Sequence, residues 1–192
     1  MFLGIVAVFF AGCSSIPQEE IDAANAAIEE ARLAGADKYA SDEFVVLQDS
    51  LKSAMVLIES EKSKLIKNYG KARESFEGVS AYAGTVKQMA GERVEELKAE
   101  IQSTLDEARN LIESDRSLIL QAPKGKEGTS ALMAIKAEVD GVESSVAEAE
   151  GLFQKGDYLV CLDKAKAAKQ KAASINTELS EVIAKYKSNV RK

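Results

Sequence analysis

The chain has 192 residues, 46 % hydrophobic and 29 % charged, with a net charge of -6 and neither histidine nor tryptophan. That apolar content excludes a wholly disordered chain, and the acidic balance argues against nucleic acid as a general partner. Without histidine there is no ready base near neutral pH, no imidazole-assisted nucleophile and no imidazole metal ligand.

Met1 to Phe9 is an uncharged apolar run, followed by Phe10-Ala11-Gly12 and Cys13. The run is well short of the roughly 20 residues a membrane-spanning helix requires. It is also apolar all round, with no polar face to show water as a packed first helix would have. A secretory leader ordinarily opens with a basic residue. Here the first is Arg32, which leaves an upstream start or a weakly recognised leader as alternatives. Small residues before a cysteine, behind an apolar run, resemble the lipobox of bacterial lipoproteins, with Phe10 where leucine is usual. The resemblance implies cleavage of residues 1–12 as a signal peptide, a diacylglycerol thioether on Cys13, and a lipid-anchored linker over 13–16. The partner it implies is a membrane, held through acyl chains on Cys13.

After Ser15 the composition turns to Ala, Glu, Lys, Ser and Leu, the balance of long helices. Apolar spacing predicts five. The first starts at Pro17, a residue suited to the first helical position, with Glu19 and Glu20 near its positive end. It shows Ile21, Ala24, Ile28 and Ala31 on one face and ends at Gly35, where glycine adopts a left-handed cap at little cost. Ser41 reads as the N-cap of a second helix with the stripe Phe44, Leu47, Leu51, Ala54, Ile58 and Leu65.

A turn at Asn68-Tyr69-Gly70 precedes a third helix from Tyr69 to Leu120, whose stripe runs Ala72, Phe76, Val79, Ala83, Val86, Ala90, Val94, Leu97, Ile101, Leu105, Ala108 and Ile112. At about 1.5 Å per residue it is on the order of 75 Å long. Gly78, Gly84 and Gly91 each weaken it by roughly 1 kcal/mol against alanine and are the expected kink positions. Ala122 to Ser130 reads as a loop. Then come a fourth helix with Ile135, Val139, Val142, Val146, Ala149 and Phe153 on one face, a Lys155-Gly156 turn, and a fifth with Tyr158, Cys161, Ala165, Ala168, Ala172, Ile175, Leu179, Val182 and Tyr186. Glu138, Glu143 and Glu150 flank one of these faces and Lys164, Lys169 and Lys171 the other, so the two are expected to pair with each other. Asn68-Tyr69-x-x-Ala72 recurs as Asp157-Tyr158-x-x-Cys161, each at a helix start.

The predicted fold is therefore all-α: an elongated antiparallel helical bundle or coiled coil of five helices, with a long central helix shared by two three-helix bundles. The N-terminal module covers 17–93 and the C-terminal one 94–192. Stripes of alanine permit close helix approach.

Pro17 to about Ala90 resembles a family of small outer-membrane lipoproteins of Gram-negative bacteria with a helical domain of unknown function. The likeness lies in a modified cysteine close before Pro17, the Ala-rich first helix, the turn Gly35-Ala36-Asp37-Lys38-Tyr39-Ala40, and Asn68-Tyr69-Gly70-Lys71-Ala72. It implies an outer-membrane anchor facing the periplasm or the cell surface, in keeping with Ser14 rather than aspartate after the cysteine, and brings no catalytic residues. Cys13-Ser14-Ser15 and the terminal Arg191-Lys192 are also similar to the two ends of the major murein lipoprotein, a likeness that implies attachment of peptidoglycan at Lys192. The competing reading of Lys192 is a basic helix end favoured by the helix dipole.

The remaining candidates read as structural. Glu95, Glu96, Glu100, Asp106 and Glu107 are carboxylates fit for a hard cation, but their spacing scatters them around a helix. Gly125-Lys126-Glu127-Gly128 lacks phosphate-loop spacing. Cys161 lies on an apolar stripe as a small hydrophobe, the alternative being an intermolecular disulfide in an oxidising compartment. Tyr69 and Tyr158 read as helix-start packing residues. The sequence implies no cofactor, no metal and no enzyme. It points to a non-enzymatic, lipid-anchored envelope protein acting as spacer, scaffold or adaptor, the alternative being a helical binding module for an envelope protein or peptidoglycan.

Overall fold

Pro17 has no N–H to lose at a helix start, and its carbonyl accepts the first helical bond, from Ile21 N at 3.1 Å. The helix so begun, α1 (Gln18–Leu33), is followed by α2 (Ala36–Tyr39), α3 (Ser41–Lys62), α4 (Gly70–Gln121), α5 (Lys126–Lys155) and α6 (Tyr158–Val190) in a computed structural model. It describes residues 15–123 and 126–190, the side chains of 126–128 and 190 excepted. All regular structure among the described residues is helical, so the chain is an all-α helical bundle protein with one long central helix, α4. Two compact units divide the chain, Met1–Arg93 and Val94–Lys192, and α4 contributes residues to each.

In the first unit, α1 and α3 are antiparallel around the turn at Gly35, whose φ of 82° lies in the left-handed region where glycine is at ease. The short α2 was not expected. Gly35 O accepts from Lys38 N and Tyr39 N, so the chain makes one helical turn where the sequence reads only as a connection. Ala40 takes the non-helical place before α3, making Ser41 its first residue rather than its cap. Leu47, Ala54 and Ile58 of α3, Ala24 and Ala31 of α1, and Ala72, Phe76, Ala83, Val86 and Ala90 of α4 form one core. The predicted stripe of α3 stops short: the helix ends at Lys62, and Leu65 is fully exposed beyond it. Ion pairs set the register, Arg73–Glu20 at 2.6 Å and Lys87–Glu30 at 2.9 Å between α4 and α1, and Arg93–Glu43 at 2.8 Å between α4 and α3.

In the second unit, Ile101, Leu105, Ala108 and Ile112 of α4 pack with Val139, Val142, Val146 and Ala149 of α5 and Cys161, Ala165, Ala168, Ala172, Ile175 and Leu179 of α6. Here α5 begins at Lys126, inside the segment predicted as loop. Near its end α6 turns Ile183 inward and leaves Val182 and Tyr186 exposed, because the spacing from Leu179 is four rather than three.

The charges on α5 and α6 do not simply face each other. Lys171 pairs with Glu138 as expected, but Lys164 takes Glu148. Lys169 takes Glu107 of α4 at 2.7 Å, Glu143 takes Arg116 at 2.6 Å, and Glu150 takes Arg109. Each of the three helix interfaces is therefore edged by ion pairs, as a third helix in contact with both partners requires. Exposed pairs add only about 0.2–1 kcal/mol each; burial of the stripes, at about 25 cal/mol per Å², stabilises the unit far more.

Candidate functional site

Cys13, its neighbours Phe10, Ala11 and Gly12, and Lys192 lie outside the described residues. The site that can be built is the end of the first unit from which Ser15 leads back toward Cys13. Because α3 returns antiparallel to α1, the start of α1, the end of α3 and the start of α4 share this end. The Arg73–Glu20 pair joins the first turns of α4 and α1 there.

The connection from α3 to α4 is held at both of its ends. Glu61 accepts from Lys64 Nζ at 2.5 Å and from the backbone N of Asn68 at 3.2 Å. These bonds, Lys64 first, hold the Glu61 carboxyl below the usual carboxylate range. Asn68 Oδ1 in turn accepts from Gly70 N at 3.0 Å, closing an Asx turn that starts α4. Tyr69 is buried beside it, so the sequence reading of Tyr69 as a helix-start packing residue agrees with its place. Between these fastenings Ser63 to Asn68 is exposed, and Leu65 and Ile66 point away from the core.

The other candidates fall elsewhere. Tyr158 starts α6, meets the Phe153 ring edge-on at 5.5 Å and carries Lys98 Nζ 5.4 Å above its ring. Cys161 is buried and donates to Ala149 O at 3.1 Å, and burial pushes its thiol up. Four of the five acidic candidates on α4 are engaged in separate ion pairs, Glu95 with Lys98, Glu100 with Lys166, Asp106 with Arg109 and Glu107 with Lys169, which leaves Glu96 apart from them. No cluster of potential metal ligands occurs among the described residues.

Sequence reasoning missed Asp115. It is fully buried in the second unit, where its Oδ1 accepts from Asn176 Nδ2 at 2.8 Å and its Oδ2 has no hydrogen-bond partner. Burial raises its proton affinity, and the Asn176 bond opposes this only in part. The signal was present: Asp115 stands three residues after Ile112, on the stripe that runs from Ile101.

Fold and site together define a helical bundle protein with a pinned, apolar-tipped turn beside its N-terminal end. Among family models, curated proteins and solved structures, none matches the chain. No helix among the described residues is long and apolar enough to cross a membrane.

Proposed function

We propose that the protein is a non-enzymatic, lipid-anchored component of a bacterial envelope, positioned on the periplasmic side of the outer membrane as a spacer or scaffold. The observation that carries this reading is Cys13 directly behind Phe10-Ala11-Gly12, at the end of an apolar run and five residues before α1 begins. One acyl chain binds marginally, but at about 0.8 kcal/mol per buried CH₂ the two or three chains of a mature lipoprotein hold for long periods. Helical bundles such as these suit a role exercised by position, since their stripes are spent on mutual packing. The test is labelling of cells with radioactive palmitate followed by membrane fractionation. Label on the wild type and none on Cys13→Ala, with loss of that variant from the outer membrane, is the expected result; equal fractionation of both contradicts it.

A second reading, an adaptor for an envelope protein or peptidoglycan, is favoured by the outer face of α3. Val45, Val46, Val56 and Leu57 are exposed there, beside a groove between α3 and α4 lined by Ser50, Ser53 and Gly78. One dominant cross-linked partner in cells supports it. Attachment through Lys192 is its sharper form and requires that deleting Lys192 abolish a muramidase-released band.

A further inference from the structure

We infer that the turn from Ser63 to Asn68 is a second membrane contact, in which Leu65 and Ile66 enter the phospholipid bilayer that holds the acyl chains on Cys13. The inference rests on the lipid-anchor reading and adds to it which end of the first unit meets the membrane and through which side chains.

Three observations carry it. Single exposed leucines are ordinary on protein surfaces, but here two consecutive branched aliphatic residues stand out from the turn, Leu65 fully exposed and Ile66 at 87 %. Such a pair gains from leaving water and has nothing of its own unit to cover it. Second, the turn is fastened by Glu61 and Asn68, so the tip is presented in a fixed direction. Third, that direction is the end where the chain arrives from Cys13. The five residues from Cys13 to Gln18 span at most about 18 Å even when extended, and Arg73–Glu20 fixes the start of α1 beside the start of α4. An acylated Cys13 therefore keeps this end within one short tether of the bilayer.

The flanking chemistry fits lipid headgroups. Lys64 and Lys67 bracket the apolar pair, and both are exposed. The Lys67 stem can lie along the acyl boundary with its ammonium at the phosphates, while the Lys64 ammonium stays on Glu61 and holds the turn. Ile16, also exposed at this end, adds a third aliphatic side chain.

The chain has no tryptophan, so Ile66→Trp makes a single reporter at the tip and Leu33→Trp one at the far end of α1, where Leu33 is also exposed. Each is introduced into the chain from Cys13 to Lys192, which keeps both units whole, with Cys161→Ala. Cys13 is then coupled to a maleimide lipid in phosphatidylethanolamine–phosphatidylglycerol vesicles carrying brominated acyl chains.

Coupling by chemistry makes the result independent of whether cells acylate Cys13; the palmitate experiment decides that separately. The expected result is blue-shifted, bromine-quenched emission from Ile66→Trp and water-like, unquenched emission from Leu33→Trp. Adding Leu65→Glu to Ile66→Trp lowers membrane occupancy on the order of tenfold. Water-like emission at position 66 overturns the inference, and so does equal quenching at 33 and 66, which means that the unit lies flat.

Discussion

Asn176 Nδ2 on α6 donates at 2.8 Å to Asp115 Oδ1 on α4, a polar pair set into a largely apolar helix interface. Asn176 also donates to Ser114 Oγ at 2.8 Å. A slip of α6 by one turn would take Asn176 away from Asp115, so the pair favours the observed register in the way a buried asparagine does in a coiled coil. Its cost is a carboxyl group removed from water with one oxygen unmatched.

That cost makes the second unit sensitive to pH in an unusual direction. Because burial raises the proton affinity of Asp115 above its ordinary value of 3.8, the folded state binds the proton more tightly than the unfolded state. Its contribution to stability is complete below that value and is lost as pH rises through the raised, folded-state value. Glu43, Glu61 and Glu107 behave oppositely. Arg93, Lys64 and Lys169 respectively hold them below 4.5, so their contributions are present above 4.5 and are lost as pH falls through their folded values. Urea unfolding of wild type and Asp115→Asn across this range separates the two effects. The difference in stability between the proteins should grow in favour of Asp115→Asn as pH rises above about 4, and a difference that does not change with pH contradicts the assignment.

The double variant Asp115→Leu/Asn176→Leu should go further at neutral pH, since replacing both members of a buried polar pair by apolar side chains is often stabilising. A gain of about 1 kcal/mol is expected, roughly 2–4 °C in the thermal midpoint. Hydrogen exchange should show reduced discrimination of α6 register in the same variant.

Phe76 is fully buried among the side chains of the first core, and none of its buried neighbours belongs to the second. Phe76→Ala should therefore cost about 3–5 kcal/mol and expose amides of α1 and α3 to hydrogen exchange, while α5 and α6 keep their protection. Equal loss in all four helices would mean that the two cores unfold as one.

Glycines in this chain should respond with opposite signs. Gly78, Gly84 and Gly91 lie inside α4 with open space where a Cβ would stand, so alanine at each should stabilise by about 0.5–1 kcal/mol. Gly35 and Gly156 have φ of 82° and 81°, and alanine there should destabilise by roughly 1 kcal/mol or more. At Gly35 the added Cβ would also meet the Tyr39 ring at 2.9 Å. Thermal unfolding of the five single variants checks this.

Cys161 should react with iodoacetamide only as the second unit unfolds, because its thiol is enclosed and its deprotonation is disfavoured by burial. Alkylation in native buffer at the rate of a free thiol would contradict its placement.

Helix type and count were legible wherever an apolar stripe was long. The series from Phe44 to Ile58 and from Ala72 to Ile112 names most of the residues that α3 and α4 bury. Periodicity failed where it ran past a helix end, at Leu65, and where the last turns of α6 shift the inward face from Val182 to Ile183. It also failed at α2, whose four residues are too few to show a period, and at Asp115, where a stripe read by apolarity alone stops at Ile112. Charge was readable as a helix-edge pattern but not as a pairing list. Glu150 and Glu143 find arginines of α4 rather than lysines of α6. Leu65 falls in the predicted stripe and Ile66 outside it, and only the end of α3 at Lys62 exposes the two together as an apolar tip.

We propose that Cys13 carries lipid and is the first residue of the working protein. Mass spectrometry of the N-terminal peptide from protein purified out of its native membrane tests it most directly. The account predicts a peptide that begins at Cys13 and bears a diacylglycerol thioether, with residues 1–12 gone; an unmodified Cys13 thiol with the preceding residues still attached would contradict it.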